Sequence, residues 1–145
     1  MSALALLLAA TLALLAVLHA HWAVGGLWPA PSEEELVRAV IGQPGRKRMP
    51  GRSLSLVVAG CLLGAAALSL VLRWPGPLPR GAVALAGLAC AGVFVGRGAA
   101  GYVGRWRRAH SAEPFARLDR AVYSPLCFTL GAGFGILTTM HWRAL

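Results

Sequence analysis

The polar residues that could do chemistry gather between Arg97 and Cys127, in a chain of 145 residues with only five acidic side chains. The stretch opens with Arg97-Gly98 and Gly101-Tyr102 and crosses Arg105-Trp106-Arg107-Arg108. It closes on Phe115, Asp119 and Tyr123-Ser124-Pro125-Leu126-Cys127. It holds two of the five acids and six of the fourteen basic residues. Asp119 could handle a proton, Arg97 could hold an anion, and Tyr123 could donate a hydrogen bond. His19, far upstream, is a second proton-handling candidate. His19, Asp119 and Tyr123 are thus the catalytic candidates, with Trp22, Arg97 and Tyr102 as ligand-binding ones.

Several other chemistries are disfavoured. No two of His19, His21, His110 and His141 have metal-ligand spacing on one helix face, so no metal site is expected. The run Glu33-Glu34-Glu35 points around a helix rather than converging on a cation. Cys61, Cys90 and Cys127 lie one to an apolar segment, without the close pair that dithiol redox chemistry uses. The formal net charge of +9 suggests nucleic acid, but the cations sit in short loops between apolar blocks, where membrane topology explains them. No particular cofactor is indicated.

The elements that must position these residues are apolar runs. Hydrophobic residues make up 57% of the chain and charged residues 13%, about half the charged share usual in soluble domains. The chain is expected to form one all-α membrane domain, residues 1–145: a four-helix bundle with short interfacial helices on the cytoplasmic side. Its spans fall at approximately 2–22, 54–72, 81–102 and 125–142. Runs of this length, at ~1.5 Å per residue, reach across a hydrocarbon core. All five tryptophans fall near segment ends, as an aromatic belt would have them. No Lys or Arg precedes the first apolar run, which argues for a retained helix over a cleaved signal peptide, although Ala20 leaves cleavage open.

The loop before segment two carries Arg38, Arg46, Lys47, Arg48 and Arg52. The loop before segment four carries Arg105, Arg107, Arg108, Arg117 and Arg120, and the other side has only Arg73, Arg80 and Arg143. Both long loops are therefore expected in the cytoplasm and both termini outside. Within the first loop, Ser32 and Glu35 form a capping box for a short helix ending at Gly42, with Glu34 and Arg38 paired across a turn and the helix lying on the membrane surface. Gly60/Gly64, Gly92/Gly96 with Ala100 and Gly104, and Gly131/Gly135 with Thr139 form small-residue stripes that predict close helix packing.

Arg97, inside segment three, must snorkel or find a partner, with Asp119 and an anionic ligand group both candidates. Before segment four, Ser111 can cap a helix on which Phe115, Leu118 and Val122 form the apolar face. Arg117 and Arg120 then face water, while Asp119 and Tyr123 border the apolar side. Ser124-Pro125 is expected to break that helix, because a residue before Pro avoids the α region. Segment four would restart with Ser124 as its N-cap.

These residues carry a family resemblance. The run His19-Ala20-His21-Trp22-Ala23-Val24-Gly25-Gly26, then Arg97-Gly98, Gly101-Tyr102, Phe115, Asp119 and Tyr123-Ser124-Pro125-Leu126-Cys127 resemble the pattern of the bacterial domain-of-unknown-function family 3995. Members typically show an aromatic where this chain has His21, which leaves His19 as the matching histidine. The resemblance implies a small multi-spanning protein of the bacterial inner membrane and implies no activity.

The function expected first is binding of, or enzymatic action on, a lipid-like or quinone-like amphiphile. The site would be a cytoplasmic-side cluster of His19, Trp22, Arg97, Tyr102, Asp119 and Tyr123. Another class remains open, a structural or accessory subunit in which the cluster glues helices together. A small transporter is the weaker alternative, since Arg97 is the only charge well within a span. Partners would be the bilayer, an amphiphilic small molecule, and a homo- or hetero-oligomer, the last undetermined by sequence.

Overall fold

In hydrocarbon a backbone must satisfy its own hydrogen bonds, so each long apolar run becomes a helix. The computed structural model describes residues 2–74 and 76–143. It contains α1 (Ser2–Ala23), α2 (Glu33–Val40), α3 (Arg52–Arg73), α4 (Arg80–Ala100), α5 (Gly104–Ala109) and α6 (Phe115–Leu118). A π-helical segment, Asp119–Tyr123, then leads into α7 (Ser124–Arg143). No strand occurs among the described residues. The four long helices are apolar and long enough to cross a bilayer, as expected of a multi-pass membrane protein.

The long helices form two antiparallel pairs, α1 along α3 and α4 along α7, which meet each other more sparingly. The core between them is made by Ala5, Leu8 and Leu12 of α1, Ala65 and Ala66 of α3, and Leu130, Phe134 and Leu137 of α7. Phe134 is fully buried and stacks on Phe94 at 5.9 Å between ring centroids. At one end the Arg52 Nε donates to Ala23 O at 3.0 Å. At the other, Ser69 Oγ donates to Ala5 O at 3.2 Å, and His141 Nδ1 donates to Leu72 O at 3.1 Å. Ser2 and Arg143 therefore lie at the end that carries the 73–80 hairpin. The two long, arginine-rich connections lie at the opposite, basic end.

The glycines that permit close approach differ from the expected stripes. Gly60, Gly64, Gly92, Gly96 and Gly135 have open space where a Cβ would go. The tight positions are Gly87, Gly98 and Gly101 on one side of the α4–α7 seam, and Gly131 on the other. A Cβ on Gly98 would lie 3.0 Å from Ser124 O, and one on Gly131 would lie 2.6 Å from a Val95 methyl. Along α3 and α4, counting every fourth small residue picks out the outward-facing side, whereas Gly131 of the α7 stripe does lie in the seam. The buried side of α4 instead follows Gly87, Ala91, Phe94, Gly98 and Gly101, alternating steps of three and four.

At the basic end, the short helix α2 is docked against the second long connection. Ser32 caps it, accepting from Glu35 N at 3.3 Å, and Gly42 ends it with φ +70°. Leu36 and Val37 are completely buried. Three bonds tie this helix end to the second long connection. Ala112 N donates to Gly42 O at 3.0 Å, Arg38 Nε to Glu113 O at 3.2 Å, and Tyr123 Oη to Ala39 O at 3.0 Å. The Phe115 ring occupies the space a Cβ on Gly42 would need. Arg38 is thus used on a carbonyl, while the expected partner Glu34 lies 3.8 Å from Lys47.

Candidate functional site

The site begins with the way the chain passes Pro125. The sequence predicts a break there; the structure has one continuous helical run from Phe115 to Arg143. Ser124 sits at φ −68°, ψ −44°, within the α region, and its N–H donates to Asp119 O, five residues back. Pro125 has no N–H to offer the preceding turn. Widening that turn to the π form keeps the axis running despite the lost bond. Ser124 is therefore mid-helix and not an N-cap, and Ser111 caps nothing, because α6 starts at Phe115 behind Pro114. The wide turn also shifts the helical phase, so Val122 is exposed instead of sharing the buried face of Phe115.

That turn carries Asp119 into the interior, where it is 3% exposed. Its Oδ1 accepts from Arg97 Nη2 at 2.6 Å and from Ser124 Oγ at 3.3 Å. Its Oδ2 accepts from Trp106 Nε1 at 2.9 Å. The Arg97 guanidinium also lies over the Trp106 ring, 4.8 Å from its centroid. Charge, hydrogen bonds and a cation–π contact thus converge from α4, α5 and α7 on one carboxylate. Gly101 leaves the room: a Cβ there would fall on Ser124 Oγ and come within 3.0 Å of Asp119 Oδ2. Each donor stabilises the ionised carboxylate, an arrangement suited to holding a charge in place.

An aromatic series leads outward from this hub. Trp106 stacks on His110 at 3.9 Å, His110 meets Phe115 at 5.8 Å, and Phe115 meets Tyr123 at 5.8 Å. Tyr123 then bonds Ala39 of α2. Tyr102, half exposed, donates to Arg120 O at 3.0 Å and stacks on Phe128. Of the sequence candidates, Arg97 and Asp119 are joined directly, and Tyr102 and Tyr123 lie on the elements around them. His19 and Trp22 have their contacts elsewhere. His19 Nδ1 donates to Leu15 O at 2.9 Å, its ring meets Trp22 at 5.0 Å, and Trp22 Nε1 donates to Trp28 O at 2.8 Å.

Two members of the hub were not candidates on sequence. Trp106 fits an aromatic belt and Ser124 fits a helix cap, so each had an ordinary explanation. The available signal was the buried Asp itself: a carboxylate predicted to face inward needs donors within a few residues of its helix or from the facing one.

Beside the hub is a cleft of about 400 Å³, within the size range of small-molecule sites. It is lined by Gly101, Trp106, His110, Ser111 and Asp119 among others, with Arg107, Arg108 and Arg120 around it. The Asp119 charge is already matched by Arg97, so these three guanidiniums give the cleft a net positive field. No group of three or more potential metal-ligating side chains occurs among the described residues.

No curated protein and no solved structure matches the chain. The sequence model of the family described as "Protein of unknown function (DUF3995)" matches residues 3–134. The matched region takes in the hub, the cleft and at least part of every long helix, and the chain belongs to the DUF3995 family.

Proposed function

We propose that the protein is a membrane-embedded binder of an anionic amphiphile, holding the head group in the cleft beside Trp106 and Asp119. The observation that carries this is the charge imbalance: Arg107, Arg108 and Arg120 surround a cleft whose only acid, Asp119, is already neutralised by Arg97. Basic pockets beside membrane helices attract lipid head groups, each cation near an anionic surface contributing ~1 kcal/mol. The cationic lining favours a phosphate-bearing, lipid-like head over a quinone-like one. Purified protein would be titrated with phosphatidic acid and with phosphatidylcholine under native mass spectrometry. Arg107→Gln/Arg108→Gln should weaken phosphatidic acid retention ~10-fold or more while leaving the melting temperature unchanged. Equal retention by wild type and variant would reject the reading.

A second reading has its own support. Asp119 gathers donors from three helical elements, as interhelical glue in an accessory subunit would. Loss of stability without loss of ligand on Asp119 substitution would favour this reading.

A further inference from the structure

One side chain of the basic cleft has the opposite hydrogen-bonding sense to its neighbours. Arg107, Arg108 and Arg120 can only donate. Asp119 is buried, and its oxygens already accept from Arg97, Trp106 and Ser124. His110 also lines the cleft, and its ring is held from three directions. Positions 106 and 110 are a helical turn apart, so the imidazole stacks on the Trp106 indole at 3.9 Å. The Phe115 ring lies 5.8 Å away, and Nδ1 is 3.1 Å from Trp106 O. A carbonyl oxygen can only accept, so Nδ1 carries the proton and the tautomer is set. In the neutral ring Nε2 is then an acceptor. It has no hydrogen-bond partner among the described residues and stays open to solvent, whereas the unpartnered Arg97 Nη1 is sealed inside.

We infer that His110 Nε2 accepts a hydrogen bond from a hydroxyl of the head group, so that the cleft selects an anionic phosphodiester lipid whose head is a polyol. This rests on the reading of the cleft as an anionic-lipid site and names the head group it takes. The guanidiniums meet the phosphate oxygens, which bring only acceptors. The ring meets the hydroxyl, which is the donor that a polyol head adds. A head without a hydroxyl leaves Nε2 to water. An ammonium head would also donate, but it would set a positive charge beside Arg107, Arg108 and Arg120. Ser111, at the same cleft, has a hydroxyl that both donates and accepts, so it discriminates between neither kind of group.

The test titrates the full chain with phosphatidylglycerol, phosphatidylmethanol and phosphatidylcholine under native mass spectrometry. The first two are phosphodiesters of equal charge that differ in the hydroxyls of the head group. Wild type should retain phosphatidylglycerol about fivefold more tightly than phosphatidylmethanol, and both more tightly than phosphatidylcholine. His110→Phe keeps an aromatic ring against Trp106 but has no acceptor, and it should bring phosphatidylglycerol down to the level of phosphatidylmethanol. The ratio is read on one preparation, so a variant that melts earlier still reports it. Equal retention of the two diesters by wild type, or a preference that survives His110→Phe, would overturn the inference. A ring that donated to the phosphate instead would give that first result, because it would treat both diesters alike. Failure of either diester to exceed phosphatidylcholine would reject the anionic site itself, and this inference with it.

Discussion

Asp119 is the residue on which most of the polar structure converges, and its environment predicts how it fails. Asp119→Asn would leave the Arg97 guanidinium in place without its counter-charge. The expected loss is about 2–3 kcal/mol, less than for a fully enclosed pair because the Arg97 side chain keeps 30% of its exposure. Arg97→Gln/Asp119→Asn should recover much of that loss, since two neutral amides can still bond each other; melting in detergent reads both. The inward direction of Asp119 and the exposure of Arg117 and Arg120 were legible from helical periodicity. The identity of the donors was not. Trp106 lies 13 residues before Asp119, across a turn and a connection whose path no local pattern states.

The helices show where a repeat in the sequence misleads. Spacing of four along α4 and α3 marks Gly92/Gly96 and Gly60/Gly64, all of which face outward. Gly98→Leu should therefore lower the stability of the α4–α7 pair by at least ~3 kcal/mol, because the new side chain meets Ser124 backbone and Phe128. Gly96→Leu should change the melting temperature little. A comparable loss from both would refute the assignment of the seam. Composition could identify four spans because length and apolarity suffice for that. It could not say which face of each is buried, since in lipid both faces are apolar and the contrast that guides a soluble helix is missing. The π turn was hidden for a related reason: the rule for residues preceding proline is a preference, and here the packing around Asp119 outweighs it.

For the molecule as a whole, the pairing of α1 with α3 and α4 with α7 puts Ser2 and Arg143 at one end and eleven of the fourteen cations, Arg97 of the hub included, at the other. With cations retained in the cytoplasm, a reporter fused after the last residue should be active only outside it. Cytoplasmic activity of that fusion would reverse the orientation. The number of spans was readable from sequence alone. The clasp between the two long connections was not, because its bonds join positions 70 to 84 residues apart.

All three bonds of that clasp end on main-chain oxygens, those of Ala39, Gly42 and Glu113. An oxygen of the main chain is present whatever side chain the position carries, so Ala39 and Glu113 are free to drift over evolutionary time without loosening the lock. The constraint falls instead on Arg38 and Tyr123, which donate, and on Gly42, which must stay clear of Phe115. Related chains could therefore share this closure while showing almost no common residues at the positions that receive it.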